Sequence, residues 1–243
     1  MDDRYRQACL SAMGIVRYVR RGRLPGDMTT ELAETSPEPV QESPRQHESK
    51  PAAAANVEPA VDSWQQLKSR VNNCTACELH VARTQTVFGV GDEHAELMVI
   101  GEARGAEEDR QGQPFVGAAG QLLNAMLLAV GLRREQVYIA NIVKCRPPGN
   151  RNPRKTEAAA CSRYLDRQIE LIQPRVILSV GAVSAHNLLL SDESVGRLRL
   201  RPHQYGKYNI PLLVTYHPAY LLRSPAEKAK VWQDLQKLVQ LMR

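Results

Sequence analysis

From Ser63 onward the apolar positions of the chain fall into two rhythms. Glu96–Gly101 (ELMVIG), Val137–Val143 (VYIANIV), Arg175–Val180 (RVILSV) and Pro211–Tyr216 (PLLVTY) are short, nearly continuous apolar runs. Such runs are expected of strands buried on both faces. Between them the spacing becomes helical. Trp64, Leu67 and Val71 recur at three and four residues and stop at Asn72-Asn73. Gly120–Val130 predicts a helix ended by Gly131. Thr156–Ile172 predicts another, with Thr156 as N-cap and Pro174 past its end. Ala182–Leu190 and Pro225–Met242 complete the set, the last with proline in its first turn. Strands alternating with helices predict an α/β fold in three layers, α/β/α, around a central parallel sheet. Ligands of such sheets lie beyond the carboxyl ends of the strands.

The first 60 residues follow neither rhythm. Residues 1–22 mix apolar side chains with five arginines and predict a short amphipathic segment, more readily a loosely held terminal helix than one that docks on a partner or on the protein itself. Residues 23–60 carry six of the fifteen prolines and few large apolar residues. Their composition cannot bury enough surface to offset ordering entropy, and a disordered linker is expected. The folded domain is therefore placed at 61–243. Residues 1–60 hold eight Lys/Arg against nine Asp/Glu, leaving 24 and 17 for the domain, a net +7. A basic compact domain suits a polyanion such as nucleic acid. No apolar run approaches the roughly 20 residues of a membrane span, and no secretory h-region is present. A monomer in the reducing cytoplasm is expected.

Four of the five cysteines form two pairs. Cys74 and Cys77 are two residues apart; Cys145 and Cys161 follow after a gap of 67, with fifteen residues between them. In a reducing compartment four thiols on one chain point to a metal, as a tetrahedral Zn²⁺ site or a [4Fe–4S] cluster, rather than to disulfides. The candidate chemistry sits at the strand ends. Gly101-Glu102-Ala103-Arg104-Gly105 ends the first strand, its glycines allowing close backbone approach and Glu102 suited to holding a water. Phe115, one of only two phenylalanines, lies in the loop Gln111–Gly117, where a ring can stack on a flat base or fold back into the core. Asn141 has both a donor and an acceptor for a base edge, or serves as a structural cap. Lys144, Arg146 and Arg151 lie on a proline-stiffened loop suited to phosphates. His217 follows the last strand and can donate to developing negative charge.

Together GEARGAEEDRQGQPFVGAAGQLL, YIANIVKCRPPGNRNP, the four-cysteine spacing and VTYHPAYLLR resemble the family 4 uracil-DNA glycosylases, the iron–sulfur branch of that superfamily, over about residues 63–243. The resemblance implies a four-stranded parallel central sheet and a structural [4Fe–4S] cluster on Cys74, Cys77, Cys145 and Cys161. It implies that Glu102 acts on the hydrolytic water and that Phe115 stacks on the flipped uracil, with Gly101 beside it. Asn141 reads the uracil edge, and His217 stabilises the departing anion. The implied partner is uracil-containing DNA, contacted by Tyr220, Leu221 and Arg223 of the HPAYLLR segment; Lys144, Arg146, Arg151 and Arg104 are the candidates for its phosphates. The implied reaction is monofunctional: the base leaves, an abasic site remains and the strand is not cut. The alternative is a non-catalytic iron–sulfur DNA-binding module. The chain departs from the family where Arg104 replaces a usual proline and where Ala118 replaces a usual basic residue.

Overall fold

The computed structural model describes Gln7, Leu10, Ser11, Met13 and Gly14, then residues 63–103 and 105–243. The expected linker and Arg104 lie outside the described residues. The elements run α1 (Trp64–Asn72), α2 (Leu79–Ala82), β1 (Val90–Gly91), β2 (Leu97–Gly101), α3 (Ala106–Gln111), α4 (Ala118–Ala129), β3 (Tyr138–Asn141), α5 (Lys155–Ile172), β4 (Val176–Val180), α6 (Ala182–Leu189), α7 (Val195–Leu198), β5 (His203–Tyr205), β6 (Ile210–Thr215), α8 (Pro218–Arg223) and α9 (Lys228–Leu241). No helix among the described residues is long and apolar enough to cross a membrane.

The four predicted strands form a parallel core in the order β3-β2-β4-β6. Two short antiparallel strands flank it, β1 beside β3 and β5 beside β6, so the sheet has six strands. Side chains alternate between its faces, as the two-residue period requires. Met98, Ile100, Ile177 and Leu212 enter one buried cluster with α1, α5 and α6. Leu97, Val99, Leu178 and Leu213 enter the other with α4 and α9. These are the three layers. Leu10 (5% exposed) and Met13 (0%) belong to the second cluster, so the described part of the N-terminal segment docks on the domain itself.

Local signals explain most element ends. Ser63 caps α1 in a capping box with Gln66. Gly131, at φ +89°, follows α4 as expected. α5 begins one residue before the expected Thr156 cap. Its N-cap is Arg154, whose N–H donates to Glu157 at 2.7 Å. That carboxylate at the helix N-terminus takes over the role foreseen for a hydroxyl. The final helix is preceded by a 3₁₀ turn at Pro225–Glu227 rather than starting there.

Candidate active site and cysteine cavity

The site begins with a register. Gly101 at the end of β2 stands beside Asn141 at the end of β3. A Cβ on Gly101 would lie 2.5 Å from Asn141 Oδ1 and 2.7 Å from the Phe115 ring, so only glycine fits this floor. Asn141 is 1% exposed, and its Oδ1 has no hydrogen-bond partner among the described residues. A buried acceptor left unpaired costs roughly 1–3 kcal/mol and calls for a donor from elsewhere.

Phe115 folds back into the core, and there its ring borders Gly101 and His217. Its ring stacks on His217, with centroids 5.5 Å apart and planes 29° apart. Its backbone is at φ +56°, which a residue with a Cβ adopts only under constraint. Three neighbours supply that constraint. Glu108, at the third position of α3, accepts from the N–H groups of Gly105 (3.0 Å), Val116 (3.2 Å) and Gly117 (3.4 Å). Arg134 donates to the carbonyls of Pro114 and Phe115 and to Asn124 Oδ1. Gly120 leaves space that a Cβ would take from the Phe115 carbonyl. The sequence carried a signal for Glu108, three residues after Gly105 at a helix start. It carried none for Arg134.

His217 caps α8 and accepts the Ala219 N–H at Nδ1 (3.1 Å). An accepting Nδ1 leaves the proton on Nε2. Burial first, and the Arg223 charge second, push its pKa down to about 4 against an opposing pull from Glu108. The ring is thus a neutral Nε2–H donor. Gly181, at φ +95°, leaves room for it: a Cβ there would come within 3.0 Å of His217 Cβ. Beside Gly101, burial raises the pKa of Glu102 above the ordinary carboxylate range. The thread Asn141–Gly101–Phe115–His217–Gly181 is continuous, and Glu102 stands at its floor.

The expected DNA contacts divide. Tyr220 (37% exposed), Leu222 and Arg223 lie at the surface of α8, directly after His217. Leu221 is fully buried in the second core cluster, so Leu222, not Leu221, is the outward apolar side chain. The helical turn explains the shift: the two neighbours face opposite sides. Lys144 is also a correction. It is 1% exposed, with Nζ donating to the Asn141 carbonyl (3.1 Å) and to Gln168 Oε1 (2.6 Å), and it cannot reach a phosphate. Burial lowers its pKa to about 8. Arg151 is held by Glu157 through two bonds of 2.8 and 2.6 Å. Arg146, half-buried, donates to Asn150 Oδ1 at 2.8 Å.

Cys74, Cys77, Cys145 and Cys161 line one cavity walled by Val71, Leu79 and Val143. N–H groups point at its sulfurs: Arg83 at Cys145 (3.2 Å), Lys144 at Cys161 (3.3 Å) and Ala76 at Cys74 (3.5 Å). Burial pushes Cys161 up to about 11. At Cys74 burial also raises the thiol, but bonds from Tyr164, Ala76 and Arg163 outweigh it and leave the pKa lowered. Among the described residues no three His, Cys, Asp or Glu side chains converge as ligands of a single ion. Four soft sulfurs with N–H donors and an apolar wall fit a sulfur-bridged cluster, whose ligands spread around a cube.

Fold and site together define an α/β domain that gathers Gly101, Phe115, Asn141 and His217 at the strand ends of a parallel sheet. A family model of the uracil DNA glycosylase superfamily matches residues 88–236. The type-4 uracil-DNA glycosylase of Archaeoglobus fulgidus is 40% identical over 187 residues, covering 74% of this chain and 94% of its own. That of Thermotoga maritima is 44% identical over 176 residues, covering 70% and 90%. A type-5 uracil-DNA glycosylase of Pyrobaculum aerophilum is 30% identical over 184 residues, covering 63% and 81%. The chain belongs to the uracil-DNA glycosylase superfamily and is most alike, among these, to its type-4 members.

Proposed function

We propose that the protein hydrolyses the N-glycosidic bond of uracil in DNA, the opening step of base excision repair. The observation that carries this is the unpaired Oδ1 of Asn141, buried between Gly101 and the Phe115 ring. An orphan acceptor needs an N–H. Uracil presents N3–H there, whereas cytosine presents a bare lone pair and would leave the acceptor unsatisfied. Membership of the superfamily, and the type-4 names of the relatives, point the same way.

The base must first leave the duplex, at a cost of a few kcal/mol. Tyr220 and Leu222 stand where side chains can fill the vacated stack, and Arg223 where it can meet the backbone. The bond from C1′ to N1 of uracil breaks with its electron pair going to the base, and charge accumulates at O2. The neutral His217 donates its Nε2–H to that oxygen without having to give up the proton. Glu102 in its ionised form orients a water toward C1′ and accepts its proton, and its charge favours the cationic sugar. Free uracil and an abasic site result. The Lys144 ammonium, bonded to Asn141 and Gln168, is not available as an imine-forming amine. With Glu102 acting on water and no lysine in the site motifs placed to form an imine, the proposed enzyme leaves the strand uncut.

The four cysteines would hold a [4Fe–4S] cluster, whose contribution is to tie the loop before α2, the loop after β3, and α5 into one body. Thiols in this state, and the absence of a membrane-crossing helix among the described residues, suit a monomer in a reducing cytoplasm. The organisation as a short amphipathic segment at 1–22, a linker at 23–60 and a catalytic domain at 61–243 completes the proposal.

The test is an end-labelled oligonucleotide with a single uracil, treated with the brown, cluster-loaded protein and then with alkali. Strand scission by wild type, and its loss in Glu102→Gln, is the expected result. Tight DNA binding with no uracil released would favour the binding-module alternative instead.

A further inference from the structure

Among the described residues, Lys144 is a large charged side chain that the fold buries completely beside both sites. Its backbone N–H points at Cys161 Sγ (3.3 Å), and its neighbour Cys145 lines the same cavity. Its ammonium turns the other way, to the carbonyl of Asn141 (3.1 Å) and to Gln168 Oε1 (2.6 Å). Gln168 in turn donates to the Phe88 carbonyl (2.8 Å) and to the Tyr138 hydroxyl (3.1 Å). Tyr138 opens β3 and Asn141 closes it, so this strut grips the strand at both ends. Cys161 and Gln168 are seven residues apart on α5, hence on one helix face. A buried ammonium costs several kcal/mol unless an opposite charge is near, and both acceptors on Nζ are neutral. The negative charge at hand is that of the cysteine thiolates: four of them around a [4Fe–4S] core leave a net anion.

We propose that Lys144 is a positioning residue shared by the two sites: its ammonium fixes the carbonyl of Asn141, and so the uracil reader, while its charge balances the thiolates of the cysteine cavity. The inference rests on the glycosylase reading for its first half only. The sequence alone places Lys144 at a phosphate; the fold makes it the joint between cluster and substrate.

The test uses the full-length, cluster-loaded protein with Lys144→Met and Gln168→Met. Lys144→Met is expected to lower kcat/KM for uracil at least tenfold, to narrow the preference for uracil over cytosine, and to bleach several-fold faster in the visible when a chelator is added. Gln168→Met keeps the charge but loses the strut. It is expected to narrow the base preference while bleaching at the wild-type rate. In an Asn141→Ala background Lys144→Met should cost no further activity, because it acts through Asn141. Changes within twofold in every readout, or losses that simply add to those of Asn141→Ala, overturn the proposal. If Lys144→Met does not fold, Gln168→Met decides: faster bleaching with unchanged base preference contradicts it. A wild type that releases no uracil sinks the functional reading, and the bleaching rates still judge the charge balance.

Discussion

At the scale of single residues, the site is made of groups held in a state they would not choose in water. Glu102 is kept in surroundings that favour its neutral form, yet the reaction needs it ionised. Its folded pKa is raised, so it lowers stability as the pH rises above the ordinary carboxylate range. Glu102→Gln should raise Tm at neutral pH and cut uracil excision about 10²–10⁴-fold, a pairing that calorimetry and the alkali assay can read on one preparation. His217 has the opposite sign. Its pKa falls from 6.5 to about 4 on folding, so stability is full above about 6.5 and drains away as pH falls toward 4. His217→Asn should flatten that acid loss in a pH series of denaturant melts, while slowing excision about 10²–10³-fold. On the proposed mechanism the ring stays neutral down to about 4, so the acid limb of kcat is expected to follow Glu102. Gly101→Ala should abolish uracil binding by pressing a methyl onto Asn141 and Phe115, visible as loss of uracil protection in a thermal shift. Glu102, Asn141 and His217 stood out as candidates in the sequence because each closes or follows a strand, and Phe115 because a phenylalanine is unusual in a polar loop. The buried place of Lys144 was not legible: a lysine in a polar loop reads as solvated, and nothing in the chain order shows that Gln168, 24 residues on, waits beneath it.

At the scale of elements, the five longer helices and the four parallel strands were legible from periodicity, while α2, α3, α7 and α8, of four to six residues, and β1 and β5, with two and three, were too short to carry a period. The loop that presents Phe115 shows what the pattern leaves out. Its strained turn exists because Glu108, Arg134 and Gly120 over-determine it, and two of these come from neighbouring helices while the third reaches in from the turn before β3. Arg134→Met removes bonds to two carbonyls and to Asn124 at once. It should relax the turn, lowering kcat/KM about tenfold with an effect on stability of about 1–3 kcal/mol, the range for orphaned buried partners. Rescue by Arg134→Lys should be poor, since one ammonium cannot span two carbonyls and an amide as a planar guanidinium does. The wedge helix α8 adds a one-residue lesson. Sequence assigns HPAYLLR to DNA as a stretch, but a helix turns one leucine inward and the next outward. Leu222→Ala should therefore weaken excision from duplex more than from single strands, and Leu221→Ala should instead cost folding stability, about 2–5 kcal/mol.

At the scale of the whole molecule, the cysteine cavity joins three chain segments that also pack on one another, so the proposed cluster would bear on integrity more than on chemistry. Cys161→Ser should yield a colourless protein with a sharply lower Tm and little activity, and absorbance and melting measured together would show whether colour and fold are lost in step. The basic surplus of the domain predicts DNA binding that weakens steeply between 50 and 200 mM salt. The start of the chain carries a lesson for anyone who would trim it. The family match covers 88–236, and a shortened gene opening at Ser63 would look complete by that measure. Yet Leu10 and Met13 sit inside the core cluster of α4 and α9. Cutting them away would uncover an oily patch on the domain, and the trimmed enzyme would pay for its brevity in clumping and heat-sensitivity rather than in its chemistry.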